Sequence, residues 1–251
     1  MLRWKILAAP LSFLVWASFV GVVIAWTPLL FFYRLATRRS DPDRYRVGRF
    51  FHDSAVVAGA LNPFWRFRIL DEVHPDPRRP YVFVANHRSN ADAFLIVRLP
   101  WEMKWLAKQA VMKIPLLGWQ MRAAGDVPVA RGQKESRQRA MEEMRKWLDR
   151  KVSVFLFPEG TRSEDGSLGA FREGAFRLAI EAGVDVVPLA IEGTEECLPK
   201  HSLIFQPATA TITVLPPVST AGLQAADSAR LAAGVRERIR SHLDGDPIAP
   251  S

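Results

Sequence analysis

Residues 81–92, YVFVANHRSNAD, decide the fold. The first five are apolar and predict a buried strand, which delivers His87 to its carboxyl end. Asn90 is expected to cap the following helix, which places Asp92 in the first turn, where it can fold back onto one nitrogen of His87. The other nitrogen is then available to take a proton from an alcohol. In isolation such a pair is ordinary, because a first-turn acid beside a loop histidine can be purely structural.

A second apolar strand ends in a sharp turn over residues 155–163, FLFPEGTRS. Gly160 allows the backbone to approach a ligand, and Arg162 supplies a planar guanidinium that suits phosphate. The hydroxyls of Thr161 and Ser163 can add hydrogen bonds. The turn therefore indicates a phosphate site, with a tight turn held by a salt bridge as the alternative.

Short apolar runs alternate with amphipathic patterns along the rest of the chain. Helices are predicted over 134–150 and 171–182, the second one stopped by Gly183. Strand, helix and strand in succession predict an α/β fold with a mostly parallel sheet covered by helices, whose active site lies at the carboxyl ends of strands. The predicted strands cover 66–70, 81–85, 103–107, 126–130, 152–157, 185–191 and 209–215.

The amino-terminal segment is uncharged from Ile6 to Tyr33, over 28 residues. As a helix it extends about 42 Å, more than the roughly 30 Å of a bilayer's hydrocarbon core. Pro10 and Pro28 leave two arrangements open, one tilted transmembrane span or two shorter helices that dip into one leaflet. A cleaved signal peptide is disfavoured, because its apolar core is usually only about 7 to 15 residues long.

Basic residues follow this apolar run and favour a cytoplasmic location for the rest of the chain. We therefore expect the protein at the inner (cytoplasmic) membrane, with residues 1–50 as a membrane-embedded helical anchor with a basic flank, 51–243 as the α/β domain and 244–251 as a disordered tail. The arginines of the flank are Arg34, Arg38, Arg39, Arg44, Arg46 and Arg49.

Charge and composition limit the classes of ligand that the protein is expected to bind. The 251 residues carry a formal charge of +8 with a pI near 10, which predicts an anionic surface or substrate. An apolar anchor without a nucleic-acid motif favours lipid headgroups and excludes nucleic acid. Cys197 is the only cysteine, and the five histidines are scattered, so neither an intrachain disulfide nor a metal site is expected. Signatures of nucleotide binding, zinc proteases and serine hydrolases are absent.

Four motifs in this chain resemble those of the lysophospholipid (1-acylglycerol-3-phosphate) acyltransferase family. Asn86, His87 and Asp92 meet its Asn-His-x4-Asp motif, and residues 158–163 match its Pro-Glu-Gly-Thr-Arg-Ser motif. The resemblance spans about 80–220. One departure concerns the second motif, which has Pro128 and Ala130 where the family usually has an aromatic residue and an acid. The remaining matches are Lys108, Ile114-Pro115, Gly118 to Met121, Gly125 with Arg131, and Val187 to Ile191, which includes Pro188.

The resemblance implies the glycerolipid acyltransferase fold and a reaction without a cofactor or metal. His87 would be the general base and Asp92 its orienting partner. The donor would be acyl-CoA or acyl-carrier protein, and the acceptor 1-acylglycerol-3-phosphate, giving phosphatidic acid in phospholipid biosynthesis. The residues implied at the acceptor are Lys108, Arg131, Glu159, Gly160, Thr161, Arg162 and Ser163, with Pro188 in the fourth motif.

Three questions stay open at this point. The acceptor can instead be another lyso-lipid, such as a lyso-ornithine lipid or a different lysophospholipid. A membrane protein that binds acidic lipid without catalysing is a further alternative, which an intact His87 and Asp92 disfavour. The apolar residues between Ile114 and Met121 either meet the lipid or pack inside the fold.

Overall fold

A seven-stranded sheet forms the centre of the protein. The computed structural model describes residues 2–71, 73–163 and 167–245, and within them the strand order is β1-β7-β6-β2-β5-β3-β4. All neighbouring strands are parallel except β6 and β7. The seven predicted strands are thereby confirmed: β1 Trp65–Asp71, β2 Val82–Ala85, β3 Met103–Lys108, β4 Val127–Val129, β5 Ser153–Leu156, β6 Val186–Glu192 and β7 Ala208–Val214.

Helices cover the sheet and connect its strands. The two predicted helices are confirmed, with α6 beginning three residues later than expected because residues 171–173 lie against the loop that follows β5. Gly183 ends α6 in the left-handed region, at φ 64°. The helices are α1 Leu2–Thr37, α2 Tyr45–Ala60, α3 Asp92–Ile96, α4 Leu117–Ala124, α5 Lys134–Asp149, α6 Gly174–Ala182, α7 Thr194–Cys197 and α8 Ser228–Leu243.

Strand β2 is buried on both faces. Val82 and Val84 pack into a core under α5, α6 and α8, whereas Phe83 and Ala85 pack into a second core under α1 and α3. Successive residues of a strand point to opposite faces, so a central strand covered on both sides must be apolar throughout. The two cores fix the carboxyl end of β2, from which residues 86–92 continue.

The amino-terminal segment forms one continuous helix, α1, which contains both Pro10 and Pro28. It is long and apolar enough to cross a membrane, and no other helix in the described ranges is. One face docks on the α/β domain: Trp16 Nε1 donates to Leu203 O (2.9 Å), and the Ser12 hydroxyl accepts the Phe205 N–H (2.9 Å). The other face exposes large apolar side chains, namely Leu7, Phe13, Leu14, Val20, Ile24, Leu29, Phe31, Phe32 and Leu35.

The two predicted domain boundaries can be compared with the ends of the helices. The division at residue 50 falls inside α2, which packs against α1 through the contact of Trp26 with Phe50. At the carboxyl terminus, Asp244 and Gly245 close α8, whereas residues 246–251 of the expected disordered tail lie outside the described residues.

Candidate active site

His87 and Asp92 lie in contact at the carboxyl end of β2. His87 Nδ1 is 2.7 Å from Asp92 Oδ2, and the Asp92 side chain is completely buried. The expected helix cap is wrong: Ala91 occupies the N-cap position without a side-chain bond, and Asp92 itself accepts the N–H groups of Arg88 (2.9 Å) and Ser89 (3.1 Å). A carboxylate can thus replace the cap residue, because it satisfies the same loop from inside the first turn.

The hydrogen bonds around Asp92 determine the proton position on His87. An ionised carboxylate only accepts hydrogen bonds, so Nδ1 carries the proton of the neutral imidazole and Nε2 keeps its lone pair. No described residue bonds to Nε2, and the His87 side chain is 15% exposed. The pair therefore presents a base towards the surface while its orienting acid is shielded from water.

Phe157 stacks on His87 and was not singled out by the sequence analysis. The two ring centroids are 3.8 Å apart, with an interplanar angle of 16°. An aromatic residue immediately before Pro158, where β5 ends, was the available signal. The stacking holds the imidazole plane from the side that Asp92 does not touch.

The turn over residues 158–163 is tied directly to His87. Glu159 Oε1 accepts the His87 N–H (2.8 Å), and the Ser163 N–H donates to His87 O (2.9 Å). The second Glu159 oxygen accepts the Gly169 N–H (2.9 Å), so this nearly buried carboxylate is fully used inside the protein. Its position indicates that Glu159 orients the loop of His87.

The three predicted cations follow the strands on one side of β2, which are β5, β3 and β4 in that order. Lys108 ends β3, Arg131 follows β4 and Arg162 follows β5, and these parallel strands bring their carboxyl ends to one edge of the sheet. Lys108 and Arg131 are exposed, and Arg162 is partly buried. None of the three side chains forms an ion pair with any residue that the structure describes. Cations that have no ion-pair partner among the described residues, at the edge that carries His87, are suited to bind an anion.

The remaining motif residues occupy less direct positions. The Asn86 amide clamps both backbone groups of Ile191 at 2.8 Å and so extends the pairing of β2 with β6. Pro188 lies buried in β6 opposite Val84, below the site rather than at its edge. Thr161 donates its hydroxyl to Arg162 O (3.1 Å).

The connecting segment is divided between surface and interior. Ile114 and Trp119 are 47% and 66% exposed, whereas Met121 is buried. Packing inside the fold is therefore shown for part of this segment, and contact of the exposed residues with lipid stays a prediction. A cavity of about 390 Å³ lies at its surface, between Met112 and Arg122.

Neither a metal nor a cysteine nucleophile is indicated at this edge. Within the described ranges, no group of histidine, cysteine and carboxylate side chains is arranged to hold a metal ion. Burial, and then the nearby Glu195, raises the pKa of Cys197 to about 12, so the thiol stays protonated and unreactive.

The sequence profile of the Acyltransferase family matches residues 66–192, just over half of the chain, and these residues include every element described above from β1 to β6. The chain belongs to this family. It is 35% identical over 197 residues to a 1-acyl-sn-glycerol-3-phosphate acyltransferase of Chlamydomonas reinhardtii, covering 76% of this chain and 59% of the relative. A chloroplastic enzyme of the same name from Arabidopsis thaliana is 37% identical over 163 residues, covering 64% of this chain and 46% of the relative.

A solved acyltransferase has the same fold over nearly the whole chain. The crystal structure of the 1-acyl-sn-glycerophosphate acyltransferase from Thermotoga maritima superposes with a TM-score of 0.81, at 25% identity and over 96% of each chain. The expected fold class is confirmed, α1 and α2 included in the superposed length. The sequence relatives are longer, and this chain spans about half of their length.

Proposed function

We propose that this protein transfers a fatty acyl group from acyl-CoA or acyl-carrier protein to the sn-2 hydroxyl of 1-acylglycerol-3-phosphate, giving phosphatidic acid. The observation that carries the proposal is the 2.7 Å contact between His87 and the buried Asp92, next to a turn in which Arg162 has no partner among the described side chains. The names of the relatives support the same reaction.

The proton transfers follow from the position of His87. Nε2 takes the proton of the acceptor hydroxyl while that oxygen attacks the thioester carbonyl, and Asp92 stabilises the imidazolium that forms. The tetrahedral intermediate then breaks its carbon–sulfur bond, and Nε2 returns the proton to the departing thiol. Because the acceptor hydroxyl is the nucleophile, the enzyme forms no covalent intermediate of its own.

The acceptor phosphate is assigned to Arg162, with Lys108 and Arg131 nearby. An arginine presents two parallel N–H donors to a phosphate, and each charge-assisted bond is stronger than one between neutral groups. Bound in this way, the phosphate would anchor the glycerol so that its hydroxyl lies near Nε2. The three cations would act mainly by binding, and their loss should raise the acceptor KM.

One experiment tests the reaction and its base together. Membranes containing the protein are incubated with labelled acyl-CoA or acyl-carrier protein and a panel of lyso-lipids, comparing His87→Ala with wild type and with His201→Ala, an exposed control. We expect His87→Ala to lower turnover by roughly 10²- to 10⁴-fold. Equal turnover in wild type and His87→Ala would refute the mechanism, and preference for another lyso-lipid would refute the acceptor.

The same panel tests the phosphate assignment. Arg162→Ala should raise the KM for 1-acylglycerol-3-phosphate and leave the donor KM nearly unchanged. Arg177→Ala serves as the control, because Arg177 is an exposed arginine whose loose contact with Glu173, at 3.5 Å, contributes little. An unchanged acceptor KM in Arg162→Ala would contradict the assignment.

For the membrane, we propose that α1 lies along the surface of one leaflet, at the cytoplasmic face of the inner membrane, and does not cross it. On its docked face, α1 contacts the domain at Ser12, which bonds to Phe205, and at Thr27, which bonds to Gln120. These two positions are about 22 Å apart along the helix. An upright helix would carry those domain surfaces into hydrocarbon, where their polar groups would lack water.

Depth measurements distinguish the two orientations. Cysteines introduced at Leu14 and Ile24, both on the exposed face, are labelled with a fluorophore in a Cys197→Ser background and quenched by lipids brominated at known depths. Ten residues apart, the probes differ in depth by about 15 Å in an upright helix and by a few Å in one that lies flat. A difference near the larger value would overturn the proposed orientation.

A further inference from the structure

Arg172 lies against the turn that carries Arg162, although ten residues separate them in sequence. Its backbone N–H donates to Pro158 O (2.9 Å), at the start of the turn. The segment before it is fixed from a second side, since Arg236 of α8 donates to Leu168 O and Gly169 O, the latter at 2.8 Å. Arg172 is therefore held beside the site by contacts of its own backbone and of Leu168 and Gly169.

The Arg172 guanidinium covers the face of Gly160. A Cβ atom built on Gly160 would lie 2.8 Å from Arg172 Cζ and 2.9 Å from Nε, closer than real Cβ contacts. Gly160 also has a φ of 74°, a backbone conformation that disfavours other residues. The turn itself therefore favours glycine at this position, and the missing side chain leaves room for the guanidinium of Arg172.

Arg172 has no counter-charge in the part of the chain that the structure describes. Its side chain is exposed and forms neither an ion pair nor a hydrogen bond there, unlike Arg236 of α8, which donates to the same loop. Arg162 is in the same situation two residues after Gly160. Two guanidinium groups next to one turn, neither with a counter-charge among the described residues, repel each other, and a bound anion between them would remove that repulsion.

We propose that Arg172 is a second arginine of the acceptor site, which contacts the phosphate from the side opposite Arg162. The inference rests on the proposed function, because it takes the acceptor to be a lyso-lipid phosphate. A phosphate monoester has three terminal oxygens, enough for two planar guanidinium groups that each donate two hydrogen bonds. Arg172 thereby contributes to the preference for a phosphate over a neutral headgroup.

Kinetics with two acceptors of equal acyl chain test the inference. For 1-acylglycerol-3-phosphate, Arg172→Ala is expected to raise KM by roughly 10- to 100-fold with little change in kcat or in the donor KM. For monoacylglycerol, which lacks the phosphate, Arg172→Ala and wild type should have the same kcat/KM. Arg172→Lys should give an intermediate acceptor KM, because lysine keeps the charge but loses the paired donors. Arg177→Ala again serves as the control.

Two results would overturn the assignment. An acceptor KM within twofold of wild type would show that Arg172 does not contact the phosphate. A rise confined to the donor KM would place it at the thioester's carrier instead.

Binding separates this inference from the proposed function. The His87→Ala protein, with and without Arg172→Ala, is titrated with 1-acylglycerol-3-phosphate by calorimetry. A weaker affinity in the double variant supports the role of Arg172 even if wild type fails to acylate this lipid, in which case the proposed function fails alone. Normal turnover in wild type together with equal affinities refutes the role of Arg172 alone.

Discussion

Two histidine–carboxylate pairs among the residues that the structure describes, His87 with Asp92 and His52 with Glu102, have opposite surroundings. His87 Nδ1 lies 2.7 Å from Asp92, and His52 Nδ1 lies 3.1 Å from Glu102. The His87 side chain is 15% exposed, whereas those of His52 and Glu102 are 3% and 1% exposed. A histidine next to a carboxylate is thus not sufficient for chemistry, and access to the second nitrogen distinguishes the two pairs.

The partners of the two carboxylates differ as well. Asp92 accepts backbone N–H groups and keeps its negative charge for His87. Glu102 instead accepts the buried Lys104 ammonium at 2.7 Å, and its contact with His52 lacks hydrogen-bond alignment. Lys104 neutralises Glu102 without help from the imidazole. We therefore interpret the first pair as catalytic and the second as part of a structural charge cluster between α2 and β3.

The largest expected effect is the difference in kcat when the carboxylate of each pair is replaced by its amide. Asp92→Asn removes the charge that stabilises the imidazolium, and the NH₂ group of the asparagine would face N–H donors. We therefore expect kcat to fall by roughly 10²- to 10⁴-fold. Glu102→Gln is the matched control and should leave kcat of the folded protein nearly unchanged. Steady-state kinetics of both purified variants make the comparison, which fails if the two lose the same fraction of kcat.

The next effect concerns stability and belongs to the buried cluster alone. Lys104→Met leaves Glu102 buried without its cation, which should lower the free energy of unfolding by about 3–5 kcal/mol. The control is Lys146→Met, which removes an exposed pair with Glu143 and should cost less than about 1 kcal/mol. Urea unfolding in detergent measures both variants, and equal losses would show that the cluster is not stabilised as we infer.

The site was predictable from sequence only where its contacts join residues that are close together in the chain. His87 and Asp92 are five residues apart, so strand and turn patterns brought them together correctly. The contacts of Glu159 with the His87 N–H and of Arg172 with Gly160 depend on how distant loops pack, which no local pattern records. For the same reason Asn90 was taken as a cap, because its helix-capping preference is local and the competing carboxylate of Asp92 is not.

The fold shows the same division between local and tertiary signals. Every strand is short, most strands are mainly apolar, and each was predicted within about one residue of its observed ends. The sequence did not predict helix α2, because the helix contains Gly48 and Gly59 and its N-cap residue, Arg44, is in the left-handed region and gives no side-chain bond. Packing against α1 and the buried cluster stabilises this helix, so its own sequence is a weak signal.

Asp126 gives the buried cluster a pH dependence. Burial raises its pKa from 3.8 to about 6, although His52, the Trp105 N–H and Lys104 oppose the shift and Glu102 adds to it. The folded protein therefore holds this proton more tightly than the unfolded chain between about pH 4 and pH 6. The stability due to Asp126 is greatest at the acidic end, declines as pH rises through 6 and is constant above it.

Asp126→Asn should remove that decline while keeping the bond to the Trp105 N–H, whose acceptor oxygen lies 2.9 Å away. Above pH 6 the variant is expected to be more stable than wild type by up to about 3 kcal/mol, and the difference should vanish near pH 4. Thermal unfolding between pH 4 and pH 8 measures it. A constant difference across this range would contradict the titration of Asp126.

The smallest expected effect returns to the two histidines. A row of aromatic rings connects them. The His52 ring lies 5.9 Å from that of Trp105, and Trp105 contacts Phe155. Phe155 in turn contacts Phe157, the ring that stacks on His87. If the row only fills space, His52→Gln should leave kcat within about twofold and change stability by less than about 1.5 kcal/mol, because glutamine has a similar volume.

Steady-state kinetics and urea unfolding of His52→Gln decide between packing and coupling. A large loss of kcat in a fully folded variant would mean that the position of His87 depends on the cluster, through the stacked rings. The two pairs would then act as one unit, with the buried pair setting the geometry of the exposed one. Near-normal turnover would leave His52 as a residue that packs α2 on the sheet, and would show that the site does not depend on the cluster through the row of rings.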